Sequence, residues 1–141
     1  MDAKVFLSQV KKLDLQIQNK LIEKQQWKEI ALGITANMDG ERVQSSGAKS
    51  KMSSAIDKCI DMEAEIDSLI DRLIDVKKDV IKTIELLDSP SEYDLLHKRY
   101  IQFMGLQDIA DSYHRDYTTI TTAHGRALKN VQAILDKNKC L

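Results

Sequence analysis

The sequence predicts an all-α protein in two parts: a long N-terminal helical hairpin or coiled coil over residues 1–88, then a small C-terminal module over 91–137. Three observations predict it. Apolar residues recur three and four places apart along most of the chain, the period of one face of an α-helix. Five glycines and one proline in 141 residues leave few places to turn, since these residues cost a helix interior roughly 1 and 3 kcal/mol relative to alanine. The single proline, Pro90, stands where the longest helical pattern stops.

The first helix runs from Asp2 to about Met38. Phe6, Val10, Leu13, Ile17, Leu21, Trp27, Ala31 and Ile34 mark its inner face, and Lys and Gln fill the others. Asn37, Asp39 and Gly40 end it, and the segment to Ser50 reads as a loop whose Val43 can dock back. A second helix starts near Lys49. It carries Met52, Cys59, Ile66, Leu73, Val80 and Leu87 at one heptad position, with Ala55, Met62, Leu69 and Val76 three residues on, which is a coiled-coil seam. Ile56, Ile60, Ile70, Ile74, Ile81 and Ile84 widen the stripe, so this helix is expected to meet more than one neighbour. At about 1.5 Å per residue it is a rod of roughly 57 Å, which either the first helix or a second copy must cover. Between Leu86 and Glu92, Pro90 stops one helix and suits the first turn of the next, with Ser89 or Ser91 to cap it. The third helix holds Tyr93, Leu95, Leu96, Arg99, Tyr100 and Ile101, and Phe103 to Gly105 make the next corner. Beyond it Leu106, Ile109 and Ala110 share a face, and the pattern restarts with Ile120, Ala123, Ala127, Leu128 and Val131. Two short amphipathic helices with a joint of three or four residues make a helix-turn-helix, whose second helix can lie in the major groove of DNA.

Composition narrows the possibilities. Net charge is −1 overall, divided as −2 on residues 1–90 and +1 on 91–141, and His97, His114 and His124 all fall in the second part. One copy should therefore attract phosphate weakly, and a homodimer is expected to compensate. No apolar run approaches the length of a membrane span, and the N-terminus lacks the apolar core of a secretion signal, so a cytoplasmic protein without membrane contact is expected. Cys59 and Cys140 have neither disulfide-framework nor metal-ligand spacing. There is no phosphate-cradling glycine loop and no catalytic grouping of Ser, Cys, His and Asp, so an enzyme fits poorly, and no catalytic residue, cofactor or metal is assigned. The ridge Asp67, Asp71, Asp75 and Asp79 reads as a solvated face, or as a docking surface for a basic partner.

The run Leu106 to Leu128 resembles, without a gap, the DNA-reading helix-turn-helix of region four of bacterial sigma factors. Leu106, Asp108, Ile109 and Ala110 match its first helix, Ile120 the packing partner, and Arg126, Ala127 and Leu128 the closing Arg-Ala-Leu; Leu95 to Ile101 is similar to the Arg-rich support helix. With the long helical N-terminal part and the segment Arg42 to Ser46, the chain resembles small transcriptional regulators of phages and prophages of Gram-positive bacteria, the ArpU/RinA type. The resemblance implies a regulator that binds double-stranded DNA and works with host RNA polymerase. It does not imply a complete sigma factor, because residues 1–90 offer only Phe6 and Trp27 as aromatics to hold unstacked bases.

Departures from that pattern set the expected chemistry. The sigma turn ends Gly, aliphatic, Ser; here it is His114, Arg115, Asp116. His114 must tolerate the unusual backbone of the turn, Arg115 is free to reach a phosphate, and Asp116 can cap the second helix. Its outward positions are Tyr117, Thr118, Thr119, Thr121 and Thr122, where Thr offers a methyl to thymine or a hydroxyl to base or phosphate. Arg126 and Lys129, with His124, are candidates for backbone contacts that set orientation. The alternative function is a coiled-coil interaction or structural phage protein with a degenerate helix-turn-helix.

Overall fold

The computed structural model describes residues 1–40 and 45–139, with side chains for 1–33 and 50–139. Val43 and Cys140, and the side chain of Ile34, lie outside these. The described residues are all-helical: α1 (Ala3–Gly40), α2 (Ser45–Glu85), α3 (Pro90–Leu96), a π-helical turn (His97–Ile101), α4 (Leu106–Tyr113) and α5 (Tyr117–Lys139). The long first helix pairs with the second, as a hairpin requires. α2 begins at Ser45, so the expected loop through Ser50 is too long. Ser45 and Ala48 hold the same heptad positions as Met52 and Ala55, and the helix follows that period past Gly47.

The chain divides into two compact units, and the division falls within the two long helices rather than at Pro90. The first unit to describe is Asp14–Arg72. Its two helix segments run antiparallel, with Lys20 Nζ 3.2 Å from Glu65 Oε2 and Lys24 Nζ 2.8 Å from Glu63 Oε1. The Cys59 thiol donates to the Lys24 carbonyl at 3.8 Å. Ile17, Ala55, Met62 and Ile66 are buried along the seam, and Met52, Cys59 and Leu69 are half-buried. Leu21 is not inside as its spacing suggested: it is 49 % exposed, and half-buried Lys20 and Lys24 take the inward places. Their methylene stems cover the seam while the ammonium groups reach the glutamates.

The second unit joins Met1–Leu13 to Leu73–Leu141. Its larger core gathers Ala3, Leu7 and Val10 from α1, Val80 and Ile84 from α2, Leu96 from α3, Tyr100 from the π turn, and Ala127 and Val131 from α5. Ile84 is fully buried there and Ile81 half-buried, whereas Ile74 stays exposed. The Ala3 N–H donates to Gln132 Oε1 at 2.7 Å, and Gln132 Nε2 donates back to the Met1 carbonyl at 3.1 Å, fastening α1 to α5. A smaller core of Leu95, Ile109, Ala110 and Ile120 holds α3, α4 and α5 together.

The residues between α2 and α4 set the direction of the last two helices. Ser89 is the cap, its hydroxyl accepting from the Glu92 N–H at 3.4 Å, and Pro90 opens α3. The expected third helix widens after Leu96 into the π turn, where the Gln102 N–H reaches back five residues to the His97 carbonyl at 3.0 Å. At the corner the left-handed residue is Phe103, φ 60°, and not Gly105, which is extended at φ −70°. Phe103 packs against the larger core, and that contact offsets a backbone conformation that glycine would take more easily.

Candidate nucleic-acid interface

The turn between α4 and α5 is built by three polar residues. His114 sits in the left-handed region at φ 54°, ψ 45°, the backbone the turn was expected to impose on it. The Arg115 N–H bonds to the Ala110 carbonyl at 2.9 Å and the His114 N–H to the Asp111 carbonyl at 3.2 Å. These two bonds form a Schellman motif, which satisfies carbonyls left open at a helix end. The Asp116 carbonyl accepts the Ile120 N–H at 3.2 Å and opens α5. Ile109, Ala110 and Ile120, the residues expected to pack the module, are at most 5 % exposed and pin α4 to α5.

At 3.6 residues per turn, α5 has a clear inside and outside. Ile120, Ala127 and Val131 define the buried line. Opposite them lie Thr118, Thr122, Arg126 and Lys129, all exposed and in one row. The other candidates fall to the sides. Arg115 and Thr119 are exposed at the rim of a hollow of about 340 Å³, floored by Leu95, Ile120 and Ala123. Tyr117, 49 % exposed, and half-buried Thr121 lie on the other edge. The eight residues therefore form one central row and two flanks.

Polar contacts inside the unit hold this surface in place. Tyr100 Oη and His124 Nε2 are 2.8 Å apart, and the rings stack with centroids 5.7 Å apart. His124 is thus turned inward, which removes it from the expected backbone contacts. Burial lowers its pKa below the usual histidine value, helped by the positive charges of Arg99 and Lys4. The Tyr113 hydroxyl donates to the Asp94 carboxylate, and Lys98 reaches both the same carboxylate, at 3.6 Å, and the tyrosine ring, 5.7 Å from its centroid. Burial, followed by that carboxylate, pushes the Tyr113 phenol well above the usual tyrosine range. Arg99 donates to the Met104 carbonyl at 3.1 Å and braces the corner, while Asn130 Nδ2 donates to Glu92 at 2.8 Å and ties α5 to α3.

The basic residues of the support helix are thus occupied within the unit, and the exposed cations of the turn and of α5 are Arg115, Arg126 and Lys129, followed by Lys137 and Lys139 in the last turn. Asp108 and Asp111 are exposed on α4, and Asp116 on the turn. None of the tying contacts involving Tyr100, Glu92 or Gln132 was legible in the sequence: their partners lie 24, 38 and 129 positions away. Among the described residues no group of three His, Cys, Asp or Glu side chains could hold a metal ion, and no helix is long and apolar enough to cross a membrane.

Among the described residues the protein is all-helical, with a paired hairpin over Asp14–Arg72 and a second unit whose last helix turns a polar row to solvent. No protein-family model matches the chain, and neither the curated proteins nor the solved structures match it.

Proposed function

We propose that this protein is a sequence-specific transcriptional regulator, encoded by a phage or prophage, that reads double-stranded DNA and acts with host RNA polymerase in the cytoplasm. The observation that carries this reading is the outer row of α5, Thr118, Thr122, Arg126 and Lys129, which is exposed on a helix whose opposite side is locked into two cores. A helix of this kind, entering the major groove, presents short side chains near its N-terminus to base edges and longer cations behind them to phosphates. The hydroxyls of Thr121 and Thr122 both donate to the Thr118 carbonyl at 2.9 Å. Their methyl groups and lone pairs are what remains for DNA, suited to thymine methyls and to the amino groups of adenine or cytosine. Arg115 serves a phosphate at the edge of the same surface.

Selection of bound duplexes from a random pool, at moderate salt, tests the reading. Enrichment of two half-sites at fixed spacing supports a dimeric reader. A folded protein that enriches nothing, and whose binding to any partner is insensitive to salt, belongs instead to the interaction or structural class, which the exposed isoleucines of α2 favour.

A further inference from the structure

A second apolar flank runs along the Asp14–Arg72 hairpin. Ile56, Ile60 and Ile70 on α2 are 43 %, 59 % and 38 % exposed, and Leu21 and Leu32 on α1 are 49 % and 60 % exposed. They share one side. Ile56 and Ile70 follow the seam residues Met52 and Ile66 by four places, as Leu21 follows Ile17; Ile60 and Leu32 follow Cys59 and Ala31 by one. In an antiparallel pair these positions of both helices fall on the same flank, and the opposite flank is the groove lined by Gln16, Lys20, Glu23, Glu65 and Ser68. Height is fixed by the cross-helix ion pairs of Lys20 with Glu65 and Lys24 with Glu63. Leu21 therefore stands level with the gap between Ile60 and Ile70, Leu32 near Ile56, and Lys28 near Asp57.

We propose that two copies of this chain join along this flank, side by side about a two-fold axis parallel to the hairpin, so that α1 of each lies on α2 of the other. Leu21 then fills the gap between Ile60 and Ile70 of the second copy, where only Glu63 and Asp67 break the isoleucine row. The charges decide in favour of a second copy. On this flank α2 carries Asp67, with Asp57 and Asp71 beside it, and no base, while α1 presents Lys28; Glu63 and Lys24 are already paired with each other across the hairpin. The acids of α1 are occupied locally, Asp14 accepting from Gln18 at 2.6 Å and Glu29 from Gln25 at 3.5 Å. A foreign helix of one sign meets like charge on one of the two helices, whereas the two-fold sets lysine against aspartate on both sides, repeating each contact twice. Several large apolar side chains exposed along one flank mark an interaction site. The pairing goes beyond the DNA-reading proposal and supplies the second module it calls for.

Sedimentation of the full chain, without DNA, tests it. The expected result is a concentration-dependent dimer that becomes a monomer in Ile60→Glu/Ile70→Glu, with the circular dichroism of the parent. Lys28→Glu should weaken self-association about tenfold, and Lys28→Glu with Asp57→Lys should restore it. The charge pair also decides the matter if the double glutamate variant loses helicity. A chain that remains monomeric at about 100 µM, well above the range of a useful dimer, overturns the proposal. So does a dimer that none of these substitutions changes. Since no DNA is present, failure here is distinct from failure of the DNA-reading proposal.

Discussion

His124 is kept neutral by its surroundings, and that gives the molecule a pH dependence of known sign. In the unfolded chain the imidazole takes a proton near its ordinary value of 6.5; in the fold, burial and the charges of Arg99 and Lys4 hold its pKa lower. Below the ordinary value the unfolded state binds a proton that the folded state refuses. The contribution is therefore complete above about pH 6.5 and is lost as pH falls through the folded value. Urea unfolding at about pH 7.5 and about pH 5 should show this loss, and His124→Gln, which can still pair with the Tyr100 hydroxyl, should reduce it. Ile109 makes the opposite kind of test, through packing alone. It is fully buried between α3, α4 and α5, so Ile109→Asp places an unpaired charge among apolar groups and should unfold the surrounding unit. The inward turn of His124 was not legible in the sequence, because a histidine four places before a core residue lies on either side of the boundary until Tyr100 is located.

At the scale of elements, two strained or weak places lead to opposite expectations. His114→Gly should stabilise the protein by about 1 kcal/mol, since glycine takes the left-handed turn without the penalty of a Cβ. Phe103, in the same backbone region, should not behave so: Phe103→Gly gives up its packing on the larger core, at a cost of a few kcal/mol. Gly125 lies inside α5, and a Cβ there meets nothing within 4 Å. Gly125→Ala should therefore raise stability by about 1 kcal/mol, read from the midpoint of thermal or urea unfolding. The helices themselves were well marked in the sequence, since their periods run long and Pro90 and Ser89 mark a start. Three local features were not. Phe6 and Leu7 are adjacent, and the three-to-four spacing does not say which faces inward. Lys20 hides behind a charge that suggests solvent, though its stem lies on the seam. The π turn after Leu96 depends on one carbonyl accepting from five residues ahead, for which no residue type is a signal.

For the whole molecule, the proposed DNA contacts set a salt dependence. Arg115, Arg126 and Lys129 give three phosphate contacts per module, so a dimer should lose affinity with a log–log slope of about −5, and Arg126→Ala should flatten it by about 2. An unchanged slope in that variant would place Arg126 away from the DNA. The two-part organisation expected from the sequence treats the first helix as a partner of α2 alone. Yet Ala3, Leu7 and Val10 line the same core as Leu96, Tyr100, Ala127 and Val131. Periodicity reveals that a face is apolar, not which distant element will cover it, and that is why the hairpin was legible and the composite unit was not. Gln132 clasps both Met1 and Ala3 across about 130 positions, and this has a consequence for how the molecule is made. Local pairing lets the Asp14–Arg72 hairpin close as soon as α2 has left the ribosome, but the first turns of α1, met by then only by Val80 and Ile84 of α2 and by α3 and the π turn, must wait for α5 to complete their core. The surface proposed to read DNA thus comes into being late and all at once, and a product truncated before α5 would lack the reading helix and leave the beginning of the chain in search of a substitute.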